Sequence, residues 1–306
     1  MLMCCGEALI DMLPRQTDGG EAAFAPHAGG AVFNTAIAAG RLGMPTAFFS
    51  GLSTDFFGDI LAGALARSHV DASPAKRSDR PTTLAFVQLV DGQASYAFYD
   101  ENTAARMLTP DDLPQPGDEV EALFLGGISL MVEPCGGAYE ALALREAGRR
   151  TIMLDPNIRP GFIRDEAAYR ARIGRMIAAA DIVKLSDDDL HWLEGDGDVA
   201  PLARGLLERG PRLVCITEGA KGATGYTADH TVSVQAARVE VVDTVGAGDT
   251  FNAGVLAALA EAGALGRDAV AALPPETIEA ALSLGSRAAA VTVSRAGANP
   301  PTRGEL

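Results

Sequence analysis

Short apolar segments alternate with alanine-rich helical segments along most of this 306-residue chain. That alternation is typical of an α/β fold in which a largely parallel sheet is flanked by helices. Ligands in such a fold bind at the carboxyl ends of the strands. The pattern predicts strands at residues 1–10, 47–52, 122–125, 151–154, 182–185 and 212–216, and it predicts helices at residues 30–42 and 56–68.

Two β-rich segments, residues 84–90 and 94–99, interrupt this series. They are joined through Asp91-Gly92, a dipeptide that favours a tight hairpin turn. A hairpin does not belong to a parallel βαβ series, so we expect a small projecting lid built from segments of about 12–28 and 82–103. The alternative is that the hairpin forms an edge of the main sheet. No segment has the composition of a linker, which predicts one domain.

The chain is acidic, with a formal net charge of −15 and no block of basic residues. We therefore expect it to bind neither nucleic acid nor an anionic membrane surface. No uncharged apolar run reaches the length of about 18 residues that a membrane span needs. The four cysteines show no CxxC pattern, which favours the reducing cytoplasm. An anionic ligand would need a locally positive pocket in this acidic protein.

One stretch combines glycines and acids at a strand-to-helix junction, and it reads DTVGAGDTF from Asp243 to Phe251. Residues 239–242 have a strand pattern and residues 251–259 have a helical one, which places Gly246-Ala247-Gly248 in the turn between them. Glycines allow positive φ there, so successive N–H groups can face an anion at the helix start. The turn therefore predicts an anion hole, although it matches neither standard nucleotide-binding fingerprint.

Asp249 lies at the start of that helix, where two interpretations are open. It could be an N-cap or first-turn carboxylate that offsets the helix dipole. It could also be a base that accepts a hydroxyl proton while the hydroxyl attacks a phosphoryl group. The residue type and its position do not separate the two.

A second glycine–helix junction includes Gly29 and Gly30, followed by Asn34 in the first helical turns. An amide side chain there can both donate to and accept from a polyol. The alternative is an asparagine that bonds to its own backbone.

These two stretches together resemble the signatures of the ribokinase-like pfkB carbohydrate kinases. The early one reads GGAVFNTAIAAGRLG at residues 29–43, and the late one reads DTVGAGDTFNAG at residues 243–254. DPNIR and TEGAKG between them also match, so the resemblance covers nearly the whole chain. It implies one ribokinase-like domain over residues 1–306, with a central, mostly parallel sheet flanked by helices and a small β-sheet lid.

The resemblance implies a role for each matching position. Asp249 would be the catalytic base for a sugar hydroxyl, and the anion hole would be Gly246, Ala247 and Gly248. Sugar-binding residues would be Asp11, Gly29, Gly30, Asn34 and Arg159. Nucleotide contacts would come from Lys184, Ser186, Thr217, Gly219, Lys221, Gly222 and Ser286. Two of these have simpler alternatives, since Arg159 could form a surface ion pair and Lys221 could be a solvated loop side chain.

The family also implies metal ions. Many members carry N-x-x-E where this chain has Ser186 to Asp189, and the family's glutamate arranges Mg²⁺ through water. Asp189 would take that role here with a side chain one methylene shorter, or Ser186 could simply cap a helix. Asp243 and a backbone oxygen of Val245 correspond to a monovalent-cation site, for which K⁺ is the expected ion.

The resemblance is strongest to members that phosphorylate fructose. It implies transfer of the γ-phosphoryl group of ATP to D-fructose, giving fructose 6-phosphate, in a homodimer that pairs through its lids. The alternatives are a 2-keto-3-deoxygluconate kinase or another pfkB sugar kinase. Two different classes also stay open: a sugar- or nucleotide-binding regulator without catalysis, and a dinucleotide-dependent dehydrogenase, although the chain lacks the dehydrogenase loop.

Overall fold

Strands and helices alternate in the computed structural model much as the apolar pattern predicts. It describes residues 1–90 and 93–306. The strands in these ranges are β1 (Leu2–Cys5), β2 (Leu9–Gln16), β3 (Ala22–Gly29), β4 (Thr46–Phe49), β5 (Gly51–Ser53), β6 (Val70–Asp71), β7 (Lys76–Ser78), β8 (Leu84–Val90), β9 (Gln93–Tyr99), β10 (Ala122–Gly126), β11 (Thr151–Asp155), β12 (Ile182–Ser186), β13 (Leu213–Thr217), β14 (Ala223–Tyr226) and β15 (Thr231–Val234). The α-helices are α1 (Ala31–Arg41), α2 (Phe56–Arg67), α3 (Cys135–Glu146), α4 (Glu166–Ala179), α5 (Asp187–Glu194), α6 (Val199–Leu207), α7 (Ala247–Glu261), α8 (Arg267–Val270) and α9 (Pro275–Val293).

The main sheet has nine strands in the order β15-β14-β13-β12-β11-β10-β1-β4-β6. Its strands pair in parallel except at β14 and β15, which pair antiparallel at one edge. One apolar core lies between the sheet and α1, α2, α7 and α9, and a second lies against α3 to α6. A parallel sheet needs cover on both faces, so the predicted α/β class is confirmed.

A smaller four-stranded sheet has the order β3-β2-β8-β9. The hairpin of β8 and β9 forms as predicted, and β2 and β3 complete the sheet. The predicted turn at Asp91-Gly92 lies outside the described residues. The alternative that this hairpin is an edge of the main sheet is wrong, because β8 pairs with β2. Its function as a lid stays a prediction.

Four local predictions differ from the structure. Residues 1–10 form two strands instead of one, and residues 47–52 also divide between two strands. Residues 239–242 form no strand, although their valines favour one. The N–H groups of Val242 and Asp243 donate to Val293 O at the end of α9, so they have no strand partner. Helix α7 begins at Ala247, four residues before the predicted start.

Close helix packing fixes the direction of α7. A Cβ on Gly254 of α7 would lie 2.6 Å from Gly285 Cα of α9, so only glycine fits this contact. Helix α1 also packs against α7. The amino-terminal ends of α1 and α7 are thereby held beside each other at the carboxyl edge of the main sheet. In the described ranges, no helix is long and apolar enough to cross a membrane.

Candidate active site

The turn before α7 has the geometry of a helix start open to an anion. Gly246 is the N-cap with φ of 78°, and a Cβ there would lie 2.8 Å from Ala298 Cβ. The first N–H groups of a helix have no acceptor inside the helix. The N–H of Ala247 donates to Thr244 O at 3.3 Å, which leaves the N–H groups of Gly248 and Asp249 as the better-placed anion donors.

Asp249 lies in the first turn of α7, and Gly246 occupies the N-cap position. The Asp249 carboxylate is buried and accepts a hydrogen bond at 2.9 Å from Asn34 Nδ2 of α1. The Thr35 hydroxyl donates to the Asp249 backbone oxygen at 3.2 Å. The first of these bonds spans 215 residues of the chain and the second spans 214. Asn34 therefore contacts the candidate base, and its amide does not donate to its own backbone.

Burial raises the pKa of Asp249 to about 7. The nearby charges of Asp155 and Glu7 push this pKa in the same direction, while the Asn34 hydrogen bond and the Lys184 charge lower it. A group with a pKa near the working pH can take up and release a proton efficiently. Asp249 is thus suited to proton transfer near neutral pH.

Four of the five predicted sugar residues, all except Arg159, lie around the turn between β3 and α1. Burial raises the pKa of Asp11, on β2, to about 6. A Cβ on Gly29 would lie 2.2 Å from Asp11 Oδ2, and Gly30 has φ of 111° with its missing Cβ 2.9 Å from Glu7 O. Any side chain at these two glycines would collide with the two carboxylate-bearing residues. The glycines therefore let the chain pass directly against Asp11.

Arg159 lies in the loop after β11 and is exposed. Its Nη1 donates to Ile158 O at 2.9 Å and to Asn157 O at 3.4 Å. The loop itself is tied to α5, because the N–H of Ile158 donates to Asp189 Oδ1 at 2.9 Å. The guanidinium is thus held near its own backbone at the edge of the site.

Lys184 lies on β12, and its side chain extends to the first turn of α7. Its buried Nζ lies 3.1 Å from Asp155 Oδ2, and a Cβ on Gly248 would be 3.1 Å from the same Nζ. Asn252 Nδ2 also donates to Asp155 Oδ2, at 2.7 Å. Burial acts to lower the pKa of Lys184, but the charges of Asp155 and Asp189 outweigh it and raise that pKa. The ammonium therefore stays charged beside the predicted anion hole.

Ser186 and Asp189 form the helix cap that the sequence left as an alternative. Ser186 Oγ accepts from the Asp189 N–H at 3.0 Å, and Asp189 Oδ2 accepts from the Ser186 N–H at 3.4 Å. Burial, and then the charge of Asp155, raise the pKa of Asp189. The described residues contain no group of three or more His, Cys, Asp or Glu side chains placed to hold a metal ion.

The loop after β13 carries the other predicted nucleotide residues. Thr217 pairs in register with Ser186, so the two lie side by side at the strand ends. Gly219 and Gly222 have φ of 54° and 109°, and a Cβ on Gly222 would lie 2.0 Å from Val234 O. Lys221 is exposed, with its Nζ 3.6 Å from Glu218. The loop geometry thus depends on its glycines, while the Lys221 side chain lies at the surface.

Ser286 lies on α9 and is half-buried, whereas its neighbours Ala281, Leu282 and Leu284 belong to the core. Within this segment, the side of α9 that carries Ser286 is therefore the part that a nucleotide could contact.

Asp243 connects two loops: its Oδ1 accepts from the Val245 N–H at 3.0 Å. Its Oδ2 accepts from the Gly297 N–H at 2.9 Å.

The buried polar residues of the site that were not predicted include Glu7, Asp155 and Asn252. Glu7 accepts from the N–H groups of Ala31 at 3.0 Å and Ser129 at 3.3 Å, and burial raises its pKa. Asn252 Oδ1 is buried without a hydrogen-bond partner in the structure. Asp155 ends a strand at the carboxyl edge of the sheet, which is the signal that could have found it.

Two cavities differ in their relation to these residues. A cavity of about 580 Å³ is lined by Arg212, Thr227 and His230 among others. Arg212 directly precedes β13, so this cavity lies at the amino end of that strand, whereas the predicted site lies at the carboxyl ends. It contains none of the predicted residues. A smaller one, of about 20 Å³, is lined by Glu7, Asp100 and other residues next to the α1 start.

The chain is similar to known sugar kinases over almost its whole length. The family model described as pfkB family carbohydrate kinase matches residues 1–303. A fructokinase of Rhizobium leguminosarum bv. trifolii is 59% identical over 278 residues, which cover 91% of this chain and 85% of that protein.

Solved structures agree in fold. A Xylella fastidiosa fructokinase with bound ATP has a TM-score of 0.86 and 30% identity, covering 97% of this chain and 93% of that one. A fructokinase double mutant from Vibrio cholerae O395, bound to fructose, ADP and potassium ion, has a TM-score of 0.85 and 26% identity, with the same coverage of each chain.

Proposed function

The chain belongs to the pfkB family of carbohydrate kinases, and on that basis we propose that it transfers the γ-phosphoryl group of ATP to D-fructose, giving fructose 6-phosphate and ADP. It is a phosphotransferase that acts on a sugar hydroxyl and uses ATP. One contact carries the proposal for this chain: Asn34 Nδ2 donates to the buried carboxylate of Asp249. This contact places α1, which carries the proposed sugar ligand Asn34, next to the candidate base.

Asp249 acts as the base in this proposal. The sugar hydroxyl gives its proton to the Asp249 carboxylate while its oxygen forms a bond to the γ-phosphorus, and the bond from that phosphorus to the β-phosphate oxygen breaks to release ADP. Phosphoryl transfer needs the base mainly to orient the hydroxyl. The pKa of about 7 that burial gives Asp249 lets it be ionised before the reaction and protonated after it.

The transferred phosphoryl group is stabilised by donors around the first turn of α7. In the anion hole proposed at Gly246 to Gly248, the free N–H groups of Gly248 and Asp249, the helix dipole and the Lys184 ammonium all favour negative charge. The ammonium is fixed by Asp155 at 3.1 Å, so it does not need to reorganise during transfer. We assign to the sugar the side chains of Asp11 and Arg159 and the close backbone approach at Gly29-Gly30.

The nucleotide is assigned to the carboxyl ends of β12 and β13. Lys184 and Ser186 end the first strand, while Thr217, Gly219, Lys221 and Gly222 follow the second. Ser286 offers a half-buried hydroxyl at the adenine side. The side-by-side placement of Ser186 and Thr217 supports a continuous surface for ATP.

Two metal sites are part of the proposal. Asp155 and Asp189 are buried carboxylates, and the charge of Asp155 raises the pKa of Asp189. A divalent cation would reduce the repulsion between the two negative charges. Mg²⁺ would be held through water at Asp189, and when bound it would offset charge on the ATP phosphates. A monovalent cation, K⁺, is assigned to Asp243 and the Val245 backbone oxygen, where two loops already meet.

The small sheet is proposed as the lid of a single domain spanning residues 1–306, with segments of about 12–28 and 82–103. Phe24 and Tyr99 are 46% and 63% exposed on it, and each ring stacks edge-on against Phe86. Exposed aromatic clusters of this kind favour a protein contact, so we propose a homodimer through the lids.

The four free, buried cysteines suit the cytoplasm that we propose as its compartment.

A coupled assay for ADP release tests the function. Wild-type protein and Asp249→Asn are each given Mg-ATP with D-fructose, 2-keto-3-deoxygluconate, ribose and glucose, and ATP binding is measured separately by calorimetry. Turnover highest with fructose, and lost in the variant, supports the proposal. Turnover highest with the keto-acid indicates the alternative kinase. ATP binding without turnover on any sugar would contradict a kinase and favour a regulator.

A further inference from the structure

The small cavity beside the α1 start has three charged lining residues among the described ones: Glu7, Asp100 and Arg106. They come from the loop after β1 and from the segment that follows β9. The cavity volume is about 20 Å³, enough for about one water-sized group. It would therefore receive one end of a bound sugar and not a whole ring.

This cavity lies on the sugar side of the active site. In the small sheet, Asp11 is paired with Ala85, and Ala85 is paired with Phe98. Thr83 lines the cavity together with Asp100, and the Thr83 backbone oxygen accepts from the N–H of Ile10 at 3.0 Å. Ile10 directly precedes Asp11, so the cavity adjoins the strand that carries this proposed sugar ligand.

Glu7 connects the cavity to the reacting groups. Its carboxylate accepts the N–H of Ala31, the first residue of the helix that carries Asn34. Its charge is also close enough to Asp249 to raise the pKa of that residue. A sugar whose hydroxyl reaches Asp249 therefore has its other groups close to Glu7 and Asp100.

The one cation at this cavity already has its partners. Arg106 Nη1 lies 2.9 Å from Asp100 Oδ2, and Arg106 Nε donates to Glu133 O at 3.0 Å. The side chains of Arg106 and Asp100 are only 15% and 10% exposed. The pair is thus partly desolvated and fixed at both ends. The described lining offers carboxylate acceptors and a cation whose charge is balanced.

We propose that Asp100 determines specificity by pairing with Arg106, so that this end of the site accepts the hydroxyls of an uncharged sugar and rejects the carboxylate of a sugar acid. The inference deepens the proposed function and rests on it. Hydroxyls can donate to Asp100 and Glu7, whereas a carboxylate can only accept. A sugar acid placed against Arg106 would also lie next to Asp100, and like charges of this kind are a common means of rejecting a ligand.

The test compares D-fructose with 2-keto-3-deoxygluconate by kcat/KM and by calorimetric Kd in the presence of ADP. The variants are Asp100→Asn, which frees Arg106, and the double change Asp100→Asn with Arg106→Gln. The matched control is Asp229→Asn, an exposed aspartate at the opposite cavity. For Asp100→Asn, we expect the acid-to-fructose ratio of kcat/KM to rise about tenfold or more, the effect of about one ion pair gained. The double variant and the control should not show this rise.

An unchanged ratio in folded Asp100→Asn, or an equal rise in the double variant, would overturn the proposal. If Asp100→Asn does not fold, wild-type binding decides: fructose must bind at least about tenfold more tightly than the acid, and equal binding would overturn the inference. The binding readout also separates the two proposals. Selective binding of fructose without ADP release would support this specificity while refuting the kinase reaction.

Discussion

Replacing Asp249 with asparagine should lower catalysis and raise stability at the same time. The two side chains have nearly the same shape, and an asparagine oxygen can still accept the hydrogen bond that Asn34 Nδ2 now donates at 2.9 Å. The fold should therefore be kept. The variant loses the base, for which a loss of about 100-fold to 10,000-fold in kcat is typical.

The gain in stability follows from the pKa of Asp249. Burial raises this pKa from 3.8 to about 7, so the folded state holds the proton more tightly than the unfolded chain does. The stability that this proton provides is present below about pH 4 and is lost as the pH rises towards about 7. The difference between the two pKa values corresponds to about 4 kcal/mol of unfolding free energy. Asparagine is neutral at every pH and avoids this loss.

Chemical denaturation at pH 5 and pH 8, together with the ADP-release assay, measures both effects. We expect the Asp249→Asn variant to exceed wild type by about 4 kcal/mol at pH 8 and by less than about 2 kcal/mol at pH 5. ATP binding should be unchanged, which serves as the control for an intact site. A near-normal kcat would refute the role of Asp249 as base. A stability gain that is the same at both pH values would refute the argument from burial.

Three further predictions follow from the same site. The wild-type kcat/KM for fructose should fall below about pH 7 as Asp249 takes up a proton. The measurement is a pH profile from about 5.5 to 9, roughly the range in which such proteins stay folded, and a flat profile would contradict this prediction. Lys184→Met should reduce kcat about 100-fold and, by leaving the buried Asp155 charge without its cation, lower the unfolding free energy by about 3 kcal/mol; adding Asp155→Asn should restore stability but not kcat, measured by denaturation and the coupled assay. Gly246→Ala should lower the thermal midpoint, because φ of 78° costs a side chain about 1–2 kcal/mol and the new Cβ would meet Ala298 at 2.8 Å; an unchanged midpoint in calorimetry would show that the turn relaxes freely.

The sequence predicted the parts of the fold that local patterns encode. Buried parallel strands are nearly continuous apolar runs, and for this reason residues 122–125, 151–154 and 182–185 are predicted correctly as strands, although Lys184 interrupts the last run. The failure at residues 239–242 has a clear cause. Valines favour a strand, but a strand also needs a neighbouring backbone, and the N–H groups there bond to the end of α9 instead. Pattern alone does not contain that partner.

For the site, the sequence identified residues that are chemically suited to it, but it did not predict which of them contact each other. The family resemblance implied a nucleotide contact for Lys184, and that role stays a prediction. The structure places its ammonium against Asp155 and the first turn of α7. Asp155 and Glu7 could not be predicted as partners of Asp249, since their effect is a charge acting through space on a residue distant in sequence.

Local sequence is enough to predict the α/β class, the glycine turns at the starts of two helices and the presence of a carboxylate in one of them. These depend on local periodicity and on backbone conformations that only glycine adopts easily. The burial of Asp249, its hydrogen bond from Asn34 and its pKa of about 7 follow from the packing of distant segments. Burial and electrostatic coupling arise only when α1, α7 and the strand ends are packed together, because both depend on what surrounds a group and not on its neighbours in the chain.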